Sequence, residues 1–280
     1  MPDKHQRAVN TALDANERIG KLFDRIGHAD APAGGIYAAY RQARLSLDVT
    51  NIPRVLAVLR LLRQSVVSVA DLALGRAYEL GIDEAGRQLG VYNVRPMNDL
   101  AVDDGKAIVL AAVVAALDAQ LNGINALLIA GEPDASLILG DDTRVGLLTP
   151  APISAEITRW AAFLTGKVFA RQVSASVDNG YVRQAVAAID ERTTDCCLHV
   201  NGHTATLEGS FELTGTPRFA DRVHAPPFHW FCRTATALVR MSDADDELTR
   251  SMREAARSEL RARQNGSRKE IHPAHSSSRR

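Results

Sequence analysis

A chain of 280 residues, 46% apolar and 24% charged, can bury a core as one large domain or two small ones and has the composition of an ordinary globular protein. Its 33 Lys and Arg balance its 33 Asp and Glu, which excludes a general electrostatic pull toward nucleic acid or anionic membrane, so any charged partner must be met locally. Three cysteines, Cys196, Cys197 and Cys232, are an odd set, which argues against a disulfide framework and for a reducing cytoplasm, and the first twenty residues lack the apolar stretch of a secretory leader.

Taken in chain order, Leu13, Ile19, Leu22 and Ile26 recur at helical spacing from Thr11 to about Ile26, and "GHADAPAGG" breaks the pattern. A second helix is expected from Ile36 to about Val49. Asn51 then caps a third before Pro53, whose run "RVLAVLRLLRQSVVSVADLALGRAYELG" is apolar around most of its surface. "GIDEAGRQLGV" reads as a short separate amphipathic piece, and "NVRPMNDLAVDDG" as a loop. Lys106 to Ala130 is again helical, with Gly123 its weak point. Its run "AIVLAAVVAAL", Ala107 to Leu117, stops short of the roughly 18 to 20 residues that span a bilayer and is expected to be buried.

"AGEPDASLILGDDTRVGLLTPAP" is expected to be a loop-rich junction. The helical pattern resumes at "ISAEITRW" with Ser154 as its N-cap and continues through "GYVRQAVAAI". After Asp190 the character changes: "HTATLEGSFELTG" and "RTATALV" suit short strands, the first pair joined at Gly209. "DADDELTRSMREAARSELRARQ" carries Leu248, Met252, Ala255, Ala256 and Leu260 on one narrow helical stripe. The end, "NGSRKEIHPAHSSSRR", lacks the apolar residues that ordered packing needs, and from Arg257 onward seven Lys or Arg face two acids. The expected fold is therefore α+β: a mainly helical body over residues 1–189, a small module with short β-strands over 190–241, and a terminal helix with a disordered basic tail over 242–280.

Chemistry-bearing residues concentrate in two clusters, "DERTTDCCLHVNG" (Asp190 to Gly202) and "PPFHWFCRT" (Pro226 to Thr234). His229 and Cys232 are separated by two residues, the spacing with which a knuckle of chain aims two ligands at one ion, and Cys197, beside Cys196 and His199, can supply the other half. The candidate metal ligands are Cys197, His229 and Cys232, with zinc the ion that suits sulfur and nitrogen donors. The same residues also suit a tightly packed turn, since Cys packs as a small hydrophobe and His229 can hold a backbone carbonyl. A cysteine nucleophile would need a base from among His199, His203, His224 and His229. No glycine-flanked nucleophile, phosphate loop, dinucleotide fingerprint or His-Glu-x-x-His motif occurs in the chain.

These clusters resemble the C-terminal module of tailed-phage minor head proteins of the Mu F type, the head morphogenesis family. That module opens on Asp-x-Arg-Thr, with a Cys a few residues on, then a Leu and a turn with Gly, and closes on Pro-Pro-x-His followed by Cys-Arg-Cys. Asp190, Arg192 and Thr193 match the opening, Cys197 the first Cys and Gly202 the turn, while Pro226, Pro227, His229, Cys232 and Arg233 match the closing motif in order. Two positions depart: the last Cys is Thr234, and a frequent His before the Gly is Asn201. The resemblance covers about 45 residues strictly, and loosely the helical region before them.

It implies a non-enzymatic structural role in the virion: a minor head component that joins the portal protein and major capsid protein during assembly in the host cytoplasm, aids DNA packaging or ejection, touches DNA with its basic tail and involves no membrane. The alternative it leaves open is a catalytic or toxin-type phage protein, ADP-ribosyltransferase-like or cysteine-dependent, delivered with the virion.

Overall fold

A computed structural model describes residues 3–27, 35–48, 50–95, 105–131, 135–140 and 145–266. In chain order the elements are α1 (Lys4–Gly27), α2 (Ile36–Ser46), α3 (Ile52–Val91), α4 (Gly105–Ile129), α5 (Ala135–Leu139), α6 (Ala151–Ser176), β1 (Tyr181–Val186), α7 (Asp195–Val200), β2 (Thr204–Thr206), β3 (Phe211–Glu212), β4 (Arg222–Val223), β5 (Ala235–Arg240) and α8 (Glu247–Gln264). Helices followed by a few short antiparallel strands make this an α+β fold, as the sequence predicts. The chain divides into two compact units, one of residues 22–76 and 104–161, the other of residues 1–21, 77–103 and 162–280; α1, α3 and α6 contribute to both.

In the unit of residues 22–76 and 104–161 the described elements are helices, with a single isolated β-bridge. Asn51 caps α3 as expected, its Oδ1 accepting from the Arg54 amide at 3.2 Å, and Pro53 sits in the first turn, where a missing N–H costs nothing. α4 buries one stripe, Val109, Val113, Leu117, Leu121, Ile124 and Leu128, at the three- and four-residue spacing of a single helix face. The expectation that this helix is buried is thus corrected: other apolar side chains are half-buried or exposed, Ile108 at 65% and Ile129 at 87% exposure. By length and composition α4 could cross a membrane, but Asp118 near its middle pairs with Arg63 of α3 through two hydrogen bonds of 2.7 and 3.0 Å. The buried Tyr40 of α2 donates to Gln120 Oε1, and Gln120 Nε2 donates to the carbonyls of Leu147 and Thr149, 2.8 Å each. One side chain of α4 so satisfies both a buried phenol and an irregular segment.

In the other unit β1 is the middle strand of a three-stranded antiparallel sheet, β2-β1-β5, with Val182 opposite Thr206 on one side and Val239 on the other. β3 and β4 form a separate two-stranded ribbon. The expectation of a helix through Ile189 is therefore corrected. α6 ends at Ser176, the Asp178 carboxylate accepts from the Gly180 amide at 2.9 Å to make a turn, and Tyr181–Val186 is a strand buried on both faces. A strand without a wet face does not alternate, and its Arg183 and Gln184 broke the apolar run that would have marked it.

Both polar residues of β1 are fully buried and partnered. Gln184 accepts from His5 Nε2 (2.9 Å) and donates to Thr249 (2.8 Å), while His5 Nδ1 meets Asp246 Oδ2 at 2.6 Å. The other Asp246 oxygen caps α8 at the Thr249 amide, 2.8 Å, so one polar chain joins α1, β1 and the start of α8. Arg183 donates to the carbonyls of His224 and Gly209, both at 2.6 Å, and of Thr206 at 3.2 Å. Burial pulls its guanidinium down to about 10.

Four further expectations change. "GIDEAGRQLGV" is no separate piece but the end of the 40-residue α3; Gly81 stays helical there because α6 lies against it, where a Cβ would meet the Thr165 carbonyl at 2.7 Å. α6 begins at Ala151, before Ser154, whose amide already donates to the Pro150 carbonyl at 2.9 Å, so Ser154 is not the N-cap. β2 and β3, expected as one hairpin about Gly209, belong to different sheets. On α8 the stripe holds Leu248, Met252 and Ala256, but Ala255 is exposed and Glu259 is buried instead. Most of "GHADAPAGG" and "NVRPMNDLAVDDG", parts of the junction after Gly131, and the tail from Ser267 lie outside the described residues; in that junction, the described residues include the short α5 and a bridge between Gly140 and Val145.

Candidate metal centre

Cys197, His229 and Cys232 come together. Their ligand atoms all lie within 4.8 Å of one another and all three residues are buried. Cys197 Sγ is 3.0 Å from His229 Nε2 and 3.7 Å from Cys232 Sγ. All three cysteines are free thiols and share one apolar cluster with Phe211, Leu213 and Phe228.

Local chain geometry explains the convergence. α7 starts after Thr194, which occupies the N-cap position without capping; its hydroxyl lies 2.8 Å from His229 Nε2 instead. One turn into the helix, Cys197 points toward that imidazole. On the other side the His229 carbonyl accepts from the Cys232 amide at 3.3 Å, and Phe231 between them takes a left-handed φ of +57°, a conformation that costs a non-glycine residue about 1 kcal/mol or more. That reversal aims His229 and Cys232 at one point. The Trp230 carbonyl, 2.6 Å from His229 Nδ1, accepts the proton of that nitrogen and leaves Nε2 with its lone pair toward the sulfurs.

Burial pushes the Cys197 thiol well above the ordinary thiol range, and the adjoining Cys232 adds to it. At Cys232 burial acts the same way but is outweighed by the hydrogen bond from Cys197 and by the nearby His229, which hold its thiol low. Cys196 is not one of the three converging ligands; its thiol is pushed up to about 12, first by burial and then by the proximity of Cys232.

The other candidate histidines lie elsewhere. His224 meets the Gly209 carbonyl at 2.8 Å beside Arg183, while His199 and His203 are exposed at and beyond the end of α7. Among the candidate histidines it is His229 that has the contact a thiol and its base require, with Cys197 and with Cys232. Beside them is a cavity of about 10 Å³, lined among others by Thr193, Thr194, Arg192 and Thr234. It has room for about one water molecule.

The remaining matched residues build a frame around the triad. One terminal nitrogen of Arg233 straddles the Asp190 carboxylate, 2.6 Å from each oxygen, so the last residue of the closing motif clasps the first of the opening motif. Asp190 also accepts from the Arg192 amide at 2.9 Å, and Thr193 donates to the Ala188 carbonyl. Gly202 turns the chain with φ +76°, and Asn201 before it accepts from the Ala187 amide (2.9 Å) and donates to the Met252 carbonyl (3.0 Å). Pro226 lies against α6, its carbonyl where a Cβ on Gly166 would stand 2.4 Å away.

Sequence reasoning missed Arg263. From the last turn of α8 it reaches the carbonyls of Thr193 (2.7 Å) and Asp190 (3.2 Å) and pairs with Glu259 (3.1 Å), fastening the terminal helix to the opening motif. Its only signal was the buried pair Glu259 and Arg263, four residues apart on a helix that otherwise reads as solvated. Compared with family models, with curated proteins and with solved structures, the chain finds no match.

Proposed function

We propose that the chain is a minor head protein of a tailed bacteriophage, of the Mu F-like head morphogenesis type, which joins the portal and major capsid proteins as the head is assembled. One observation carries the reading: the residues that resemble that family's module, widely separated in the chain, meet in one frame in which each has a structural task. Asp190 and Arg233 close it, Cys197, His229 and Cys232 fill it, and Gly202 and Pro226 set its turns. That these residues converge, each with a structural task, is what supports the reading.

The helical unit exposes several large apolar side chains among its described residues. Leu61 of α3, Leu45 of α2 and Ile108 and Ile129 of α4 expose most of their side chains, which suits a protein that completes its burial against another. Net neutrality fits assembly with protein first, leaving the basic residues near the C-terminus as the local contact for DNA. The site of action is then the virion, reached from the host cytoplasm. A catalytic role has less support, because the cavity at the Cys197–His229 pair holds about one water.

The test is binding of the purified full-length chain to the portal protein encoded in the same genome, followed by analytical ultracentrifugation. A complex with the assembled portal ring is expected. A chain that sediments alone at concentrations well above the micromolar range, with correctly assembled portal present, overturns the proposal.

A further inference from the structure

We propose that Cys197 Sγ, His229 Nε2 and Cys232 Sγ bind one zinc-class cation, with water in the fourth coordination position, in the cavity between Thr194 and Thr234. The inference rests on the geometry of these residues and stands or falls independently of the head-protein reading.

The donor set suits a soft, four-coordinate d¹⁰ ion: two thiolates and an imidazole, without the carboxylates that hard cations prefer. The spacing fits as well. Two zinc–sulfur bonds of about 2.3 Å at the tetrahedral angle set their sulfurs about 3.8 Å apart, and Cys197 and Cys232 are 3.7 Å apart. A zinc-bound sulfur and nitrogen lie about 3.5 Å apart, so the 3.0 Å between Cys197 and His229 needs only a small rotation about a side-chain bond. Charge is satisfied too: a divalent ion with two thiolates and a neutral imidazole sums to zero, which an interior accepts, while an isolated ion would not be tolerated.

The surroundings are those of a held ligand set. The Trp230 carbonyl fixes the His229 tautomer that leaves Nε2 free to ligate. Phe231 spends left-handed strain on the reversal that brings His229 and Cys232 to one point. The fourth corner is polar and small: Thr194 lies 2.8 Å from Nε2, the Thr234 hydroxyl hydrogen-bonds Cys197, and the adjoining space of about 10 Å³ admits one water. No fourth Cys, His, Asp or Glu belongs to the cluster among the described residues. Three protein ligands plus water is an exchangeable arrangement, so the ion should accept a small exogenous ligand there.

The experiment is cobalt(II) and zinc(II) titration of the reduced full-length chain, with metal content determined after gel filtration. One ion per chain is expected, and cobalt should give the sulfur-to-metal charge-transfer band and the intense visible bands of a tetrahedral site. Cys197→Ser, His229→Ala and Cys232→Ser should each weaken binding by at least about 100-fold, while Cys196→Ser should leave it unchanged. Thr234→Cys keeps the frame intact and adds a thiolate at the open corner, so it should tighten zinc binding, shift the visible cobalt bands and abolish the spectral response of the wild type to added imidazole. A wild type with no bound metal and no cobalt spectrum overturns the inference. So does metal retained equally by all three ligand variants, and so does a Thr234→Cys variant that is folded by circular dichroism but indistinguishable from wild type in affinity and spectrum.

Discussion

Replacing Arg233 by alanine probes the clasp between the two motifs. Arg233 is 16% exposed, and one nitrogen lies 2.6 Å from each oxygen of Asp190. Hydrogen bonds to charged groups contribute about 1.5–3 kcal/mol, but Asp190 is 42% exposed, and solvent screening places the pair at the low end. Asp190 also keeps the Arg192 amide, so its carboxylate is not orphaned by the change. The expected loss is about 1.5 kcal/mol, of which about 1 kcal/mol should appear as coupling in a double-mutant cycle with Asp190→Asn.

Urea unfolding followed by far-ultraviolet circular dichroism measures both. Burial raises the Asp190 carboxyl but is outweighed by the Arg233 hydrogen bond and charge, so its pKa falls below the ordinary carboxylate value. A depressed acid stabilises the fold above its unfolded pKa and loses that contribution as pH falls through the folded one, so wild type and variant should converge in strong acid. Coupling below about 0.3 kcal/mol at neutral pH would refute the clasp.

Three other changes have expected outcomes. Gly166→Ala places a Cβ 2.4 Å from the Pro226 carbonyl, a backbone atom that cannot rotate away, and should cost about 2–3 kcal/mol in thermal or urea unfolding; a neutral result would mean that α6 does not abut the closing motif. Burial, only partly offset by Gln88 and Arg87, raises the Glu84 carboxyl to about 7, so the stability tied to its protonated form is full below its unfolded value and is lost as pH rises toward about 7. Glu84→Gln should therefore stabilise the chain at pH 8 by up to about 3 kcal/mol and flatten its melting profile between those pH values, and a profile unchanged by the substitution contradicts this. Arg183→Met removes one donor from each of three carbonyls, of which the Gly209 carbonyl keeps His224 and the Thr206 carbonyl keeps the Gly209 amide, and should cost about 1–3 kcal/mol, whereas an unchanged stability would show that water replaces the guanidinium.

Where one face of an element is wet and the other dry, the chain announced it. α1 and α8 were legible from apolar spacing, and β5 from its bounded strand run, whereas α4 was legible as a helix but not for its wet face. β1 was not, because a strand buried on both faces has no period of two, and its Arg183 and Gln184 find their partners far away in sequence. Gly81 and Ser154 misled for a related reason: each normally ends or starts a helix, and here packing against α6 and the turn at Pro150 decide instead.

At the site, the spacing of His229 and Cys232 identified two members of the triad and the proximity of the motifs suggested the third. The roles of Thr194, Thr234 and Arg263 were not readable. Each acts through a contact across 35 residues or more, and hydroxyls and arginines leave no periodic trace.

The most direct measurement is the composition of assembled heads. Coat protein, portal protein and this chain would be co-expressed, heads purified by sedimentation, and each component counted by quantitative mass spectrometry. The account predicts a few copies of the chain per head, lost when the portal protein is omitted. Heads that form without retaining it, or that retain it equally without a portal, would contradict the assembly role.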